Sequence, residues 1–99
     1  MGIRHVALFR WLPDTTPEQV AEVERRLGEL PGQIPELRAY AFGADVGVST
    51  GNFDFAVVAD VDDVDGFRAY RDHPEHQKVL GVISALLAER AAVQFPITR

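Results

Sequence analysis

The sequence predicts an α+β fold in which helices cover one face of a four-stranded antiparallel sheet. Two observations carry this prediction. Side chains alternate in the manner of half-buried strands, and two apolar stripes recur at helical spacing between them. The strand signals lie in residues 3–11, 37–43, 53–61 and 90–96. The helical signals lie in residues 17–30 and on either side of Pro74, so the element order is β-α-β-β-α-β.

The first strand and helix are marked by alternation and by a capping motif. One strand face carries Ile3, His5, Ala7, Phe9 and Trp11, and the other carries Arg4, Val6, Leu8 and Arg10. Thr16, Pro17 and Gln19 then fit the N-cap, first and third positions of a helix. Its apolar stripe is Val20, Val23, Leu27 and Leu30, and we expect Pro31-Gly32 to end it.

The second half of the chain repeats this layout around a proline. Phe53, Phe55, Val57, Ala59 and Val61 form one face of the clearest strand. Asp62 or Asp63 is expected to cap a short helix carrying Phe67 and Tyr70.

Because Pro74 disfavours the helical conformation at His73, we expect His73 to cap a new helix. We assign the stripe of that helix to Val79, Leu80, Ile83, Leu86 and Leu87.

This element order is typical of the ferredoxin-like fold, whose sheet has helices on one face only. If the other face of the sheet is apolar, it must be buried against something other than the helices. We assign to it a set of mostly apolar residues: Val6, Leu8, Tyr40, Phe42, Ala56, Val58 and Ala92, with Arg4, Arg10, Asp54 and Asp60 at its margins. An apolar centre with charged margins is typical of an interface between two sheets, so we predict a homodimer.

Length and composition exclude several classes of protein. A chain of 99 residues with 46% hydrophobic and 25% charged residues predicts one ordinary globular domain over residues 1–99. The net charge of −5 argues against a nucleic-acid partner. No apolar run is long enough to span a membrane, and no secretory signal opens the chain, so we predict a cytoplasmic protein. The lack of cysteine excludes thiolate chemistry.

Tyr70 and His76 flank the predicted helix break and are the main candidates for chemistry. An imidazole accepts a proton near neutral pH, and a nearby phenol can stabilise a developing oxyanion. The helix-facing side of the sheet, with Ala7, Phe9, Phe55, Val57 and Val93, would supply an apolar cavity. The competing interpretation is structural: His76 satisfies backbone groups at the break and Tyr70 packs in the core. His5 is open to the same two interpretations.

The N-terminal strand Ile3–Phe9, the turn Ile34-Pro35-Glu36-Leu37 and the His-Pro-x-His run at 73–76 resemble the stress-responsive A/B-barrel (Dabb) family. The resemblance covers essentially the whole chain and implies a dimeric α+β barrel. In a plant polyketide cyclase of that family, a histidine acts as base and a tyrosine assists a cofactor-free aldol cyclisation. Those positions match His76 and Tyr70, and a pocket histidine matches His5. The resemblance therefore implies a catalytic His76, Tyr70 and His5 in a pocket of Ala7, Phe9, Leu27, Val57 and Leu87.

The resemblance leaves several functions open. Glu24, Leu27 and Leu87 stand where that cyclase has aromatic residues, so the plant substrate is not implied. We expect a small apolar or amphipathic ligand and no cofactor. Some plant relatives bind magnesium through backbone carbonyls matching Pro31, Ile34 and Leu37, which implies a candidate Mg²⁺ site. The alternatives are a non-enzymatic, stress-associated structural protein and, less favoured, a heme or quinol monooxygenase of the same superfamily.

Overall fold

The computed structural model describes residues 2–98 and has the predicted ferredoxin-like architecture. Its four strands form one antiparallel sheet in the order β2-β3-β1-β4, with the helices on one face. The second helical unit is divided into two helices. The elements are β1 (Gly2–Trp11), α1 (Pro17–Gln33), β2 (Ala39–Ala44), β3 (Phe55–Val61), α2 (Val64–Asp72), α3 (Pro74–Ser84) and β4 (Leu87–Ile97).

The helix α1 begins as predicted and ends later than predicted. The Thr16 side chain accepts from the Gln19 amide while the Gln19 side chain accepts from the Thr16 amide, which completes the capping box. Pro31 lies inside the helix and does not end it. The helix ends because Pro35 restricts Ile34 to an extended conformation, with φ −117° and ψ 102°.

His73 and Pro74 divide the second helical unit in the predicted way. His73 is extended, with φ −60° and ψ 134°, and it is the last cap of α2 and the first cap of α3. Its Nδ1 accepts a hydrogen bond of 3.1 Å from the Glu75 amide. The structural role predicted for His73 is thereby confirmed.

The apolar run at residues 86–87 belongs to a turn and a strand, and its assignment to the α3 stripe was wrong. The Leu86 amide donates to the Ile83 carbonyl, and the Leu86 carbonyl accepts from the Leu12 amide at 2.8 Å. Leu87 is the first residue of β4 and pairs with Trp11. A pair of leucines fits a helix stripe and a strand equally well. Here the pairing of Leu87 with β1 determines that the strand begins at this residue.

Register assigns three residues to the opposite face from the one we predicted. Tyr40 pairs with Ala59, Phe42 with Val57, and Ala92 with Ala7, so all three share the helix-facing side. Val93 pairs with Val6 on the outer face, contrary to its assignment to the cavity side. A shift of one residue in the pairing exchanges the two faces of a strand. The sequences of β2 and β4 alone do not show which of their alternate side chains face the helices. The corrected outer face contains Val6, Leu8, Ala41, Gly43, Ala56, Val58, Ala91 and Val93.

The core lies between the sheet and the helices. Its fully buried members come from α1, β3, α2 and α3, and include Leu30, Phe55, Tyr70 and Ile83. Strand β4 is largely exposed along its length because the helices do not extend over it. The helix-facing side of β4 is consequently open to a cavity. None of the helices described in residues 2–98 is long and apolar enough to cross a membrane.

Candidate functional site

A cavity of about 620 Å³ lies between the sheet and the helices, beside the open edge at β4. It is within the size range of small-molecule sites. Its apolar wall comes from both layers and includes Ala7, Phe9, Leu27, Val57, Val79 and Ile83. Its polar groups include His5, Tyr40, Tyr70, His76, Arg90 and Gln94. A mostly apolar wall with a few convergent polar groups is what binding a small amphipathic molecule requires.

His76 lines this cavity from the first turn of α3 and is 8% exposed. Its Nδ1 lies 2.9 Å from the Arg71 carbonyl, which can only accept, so Nδ1 donates the proton. In the neutral ring Nε2 is therefore the unprotonated nitrogen. Among the hydrogen bonds of residues 2–98, Nε2 has no protein partner. Burial lowers the pKa of His76 below its ordinary value, which favours this neutral, proton-accepting form.

His5 lines the same cavity from β1, with the opposite arrangement of its ring nitrogens. The Gln94 side-chain amide donates to His5 Nδ1 at 2.8 Å, so the proton of the neutral ring is on Nε2. Burial, followed by the charges of His76 and Arg90, lowers the pKa of His5 to about 4. At neutral pH His5 is consequently a hydrogen-bond donor through Nε2.

Tyr70 lines the cavity as a buried residue, and its ring lies near both histidines. Its ring centroid is 4.2 Å from that of His76 and 6.3 Å from that of His5. Its hydroxyl lies 3.5 Å from the Tyr40 hydroxyl, so its hydrogen-bond partner is Tyr40 and not His76. Burial raises the pKa of both phenols, so both are protonated at neutral pH.

The structure brings together most of the residues that the sequence pointed to. His5, Tyr70 and His76 line one cavity, together with Ala7, Phe9, Leu27 and Val57. Leu87, which begins β4 opposite Trp11, does not line it, contrary to the prediction. Sequence reasoning missed Tyr40, Arg90 and Gln94. Gln94 pairs with His5 and Arg90 with Phe9 in the β1–β4 register, and a correct alignment of those strands would have found both.

The predicted magnesium site stays a prediction. Pro31 lies in the last turn of α1, and its carbonyl lacks the usual donor four residues on because Pro35 has no amide hydrogen. The Ile34 carbonyl already accepts from the Leu37 amide at 3.2 Å. The Arg38 guanidinium donates to the adjacent Pro35 carbonyl at 2.6 Å, and a positive charge there opposes a cation. These carbonyls are a poor fit for a dication. Within residues 2–98 no cluster of three histidine or acidic side chains is placed to hold a metal.

Acid pH is expected to destabilise the fold through His5 and His76. In an unfolded chain both imidazoles take up a proton near pH 6.5. In the folded protein His5 does so only at about 4, and the pKa of His76 is also lowered. Since the unfolded chain then binds more protons, the free energy of unfolding falls as pH falls from about 6.5 towards 4. We expect a loss of roughly 1–2 kcal/mol from His5 at about pH 5.

Urea unfolding at about pH 7.5 and about pH 5 measures this loss in the wild type and in His5→Gln. The His5→Gln variant keeps a partner for Gln94 and should lose less stability in acid than the wild type. An equal loss in the two proteins would contradict the assignment to His5.

The sequence profile of the stress-responsive A/B barrel domain matches residues 3–97. The chain belongs to this family. An uncharacterized protein of Streptomyces coelicolor is 38% identical in an alignment of 81 residues that covers 76% of this chain and 79% of that protein. The stress-responsive A/B barrel fold predicted from the sequence is therefore confirmed.

Solved structures agree with this family assignment. A dimeric ferredoxin-like protein of unknown function from Thermobifida fusca is 60% identical, with a TM-score of 0.93 over 98% of this chain and 92% of that one. A hydroxynitrile lyase from Passiflora edulis is 17% identical, with a TM-score of 0.87 over 98% of this chain and 94% of that chain. At that identity the second likeness concerns the fold alone.

Proposed function

We propose that this A/B barrel protein binds a small amphipathic molecule between sheet and helices and catalyses a cofactor-free proton transfer on it. The observation that carries the proposal is the state of His76. Its Nδ1 donates to the Arg71 carbonyl at 2.9 Å, and its Nε2 is left as a basic nitrogen at the cavity. A base held in one tautomer and one orientation is what general base catalysis needs.

The chemistry that fits these groups is enolisation followed by polyketide-type cyclisation. His76 Nε2 removes a proton from a carbon next to a carbonyl, and the electron pair of that C–H bond forms an enolate. The Nε2–H of His5 and the Tyr70 hydroxyl are the donors available to the enolate oxygen. The enolate carbon bonds to a second carbonyl carbon of the same molecule, and the imidazolium returns its proton to the new alkoxide.

We also propose that the protein forms a homodimer through the outer face of its sheet. The similar protein from Thermobifida fusca is described as dimeric. Support from this chain is its outer sheet face, where Val93 is 53% and Phe95 41% exposed. Ion pairs Arg4–Asp60 and Arg10–Glu89 lie at the ends of that face, leaving its centre apolar. We also propose a cytoplasmic location.

A second candidate function is architectural, and one observation favours it. The Arg71 carbonyl at the end of α2 accepts from His76 Nδ1 and also from the Gln77 side chain at 2.7 Å. Helix ends leave carbonyls without partners, so these bonds stabilise the break between α2 and α3 whether or not a ligand binds. A non-enzymatic, stress-associated protein would need no more than this.

Ligand binding separates the two candidates and can be measured by thermal shift. We expect alkylresorcinols and aryl β-diketones to raise the melting temperature of the wild type, because apolar burial stabilises only the folded protein. Ala92→Phe should abolish the shift, since Ala92 lines the cavity from the exposed strand β4 and the larger ring would fill it. Ala21→Phe, on the exposed side of α1, is the matched control and should respond like the wild type.

Two outcomes would count against the binding function. No shift with any ligand in the wild type would favour the architectural candidate. An undiminished shift in Ala92→Phe would place the binding site outside this cavity.

A further inference from the structure

Arg90 differs from the other cationic side chains in the part of the chain that the structure describes, residues 2–98. Nine of the ten lysines and arginines lie in the described residues 2–98, and eight of those nine form an ion pair with a carboxylate. Arg90 is the ninth and has no carboxylate partner among the described residues. A guanidinium left unpaired in an acidic protein is accessible to an anion from solution.

The position of Arg90 places this charge at the cavity. Arg90 pairs with Phe9 in the β1–β4 register, so it lies on the helix-facing side of the exposed strand and lines the cavity wall. His5 and His76 line the same cavity, and the charge of Arg90 contributes to lowering the pKa of both. Arg90 and the proposed base His76 thus line the same cavity, where a ligand would lie.

The other charges at the cavity compensate each other. Arg71 and Asp72 both line the cavity, and they form a two-point ion pair with distances of 2.8 and 3.1 Å. Both histidines are neutral at neutral pH for the reasons given above. Among the described residues that line the cavity, Arg90 therefore carries the charge that no neighbouring side chain compensates.

We propose that Arg90 binds the carboxylate of the ligand, and that the substrate class is accordingly amphipathic organic acids. This inference rests on the proposed binding function and adds to it the chemical class of the ligand. The planar fork of the guanidinium matches the two oxygens of a carboxylate. The hydrocarbon part of the acid then lies against the apolar wall formed by Phe9, Leu27, Val79 and Ile83.

The test compares two acids with their uncharged amides by titration calorimetry. The acids are octanoate and 4-phenylbutyrate, and the amides are octanamide and 4-phenylbutanamide. We expect the wild type to bind each acid about tenfold more tightly than its amide, which is the scale of one charged hydrogen-bonded pair at an accessible site. Added salt should reduce that difference.

Three variants locate the effect. Arg90→Gln should remove the preference for the acid, and Arg90→Lys should keep only part of it, since lysine keeps the charge and loses the fork. Arg68→Gln is the matched control, because Arg68 is exposed on α2, pairs with Asp65 and does not line the cavity. It should keep the full preference. Because Arg90 is itself exposed, Arg90→Gln is expected to fold, and its circular dichroism spectrum checks this.

The outcomes separate this inference from the proposed function. Equal affinity of the wild type for acids and amides would overturn the role of Arg90 and leave the binding function standing. An equal weakening in Arg90→Gln and Arg68→Gln would also overturn it, since net charge alone would then be acting. Failure of the wild type to bind any of the four compounds would overturn the inference, and a thermal shift with alkylresorcinols or aryl β-diketones would then leave the binding function standing.

Discussion

His76→Ala is expected to reduce the rate of the proposed proton transfer by about 100-fold to 10,000-fold, the usual effect of losing a positioned general base. The substitution removes the nitrogen that faces the cavity. Folding should be retained, because the Arg71 carbonyl keeps the Gln77 side chain as a donor at 2.7 Å. The measurement is α-proton exchange of a bound aryl ketone in D₂O, followed by NMR and compared with exchange in buffer alone.

Two controls distinguish catalysis from a structural effect. His73→Ala removes the neighbouring histidine, whose Nδ1 caps α3 and which does not line the cavity. It should lower stability by about 1 kcal/mol, as a lost cap does, and leave the exchange rate unchanged. Added imidazole should partly restore exchange in His76→Ala, since the truncated side chain leaves space for it.

The architectural candidate makes the opposite prediction for these proteins. His76→Ala would melt at a lower temperature than the wild type, and exchange in the wild type would not exceed that in buffer. That result would exclude His76 as a base and leave it as a helix-end residue.

The sequence was sufficient for the fold because its local signals agree with one another. The capping box at Thr16, the alternation of residues 55–61 and the break at Pro74 each fix an element independently. Short connections then leave few topologies for four strands and two helical units. The same local rules explain why His76 and Tyr70 lie together, since the extended His73 breaks the helix and turns the chain between them.

The predictions were wrong where the sequence of a segment alone does not determine its conformation or which of its side chains face the helices. Strand β2 alternates alanine with aromatic residues, and only its pairing with β3 shows that Tyr40 and Phe42 face the helices. The leucines at 86–87 fit a helix stripe as well as a strand, and only the pairing of Leu87 with Trp11 shows that the strand begins there. Both features depend on contacts between distant parts of the chain, and a single local pattern does not encode them.

The polar half of the cavity was harder to predict than its apolar half. Ala7, Phe9 and Val57 follow from strand alternation, and Leu27 from the helix stripe. Arg90 and Gln94 come from β4, which is exposed and has no apolar alternation to mark an inward face. Their role depends on lying opposite Phe9 and His5 in the sheet, which is a long-range property.

Val58→Glu is expected to dissociate the proposed dimer. Val58 lies at the centre of the corrected outer face, opposite Val6 on β1 and Ala41 on β2. In a dimer formed by packing two such faces, the new carboxylate would be buried without a partner, which costs several kcal/mol per ion. The twofold symmetry of such a dimer would introduce the charge on both sides of the interface. In a monomer the same residue would face water and cost little.

Size-exclusion chromatography with light scattering measures the result directly. The wild type should have about twice the chain mass of 11.0 kDa, and Val58→Glu should have the mass of one chain or unfold. Val64→Glu is the matched control, because Val64 is 50% exposed at the start of α2, where an acidic residue is favourable. It should remain dimeric. A wild type with the mass of one chain would exclude the homodimer, and a Val58→Glu protein with unchanged mass and melting temperature would exclude this face as its interface.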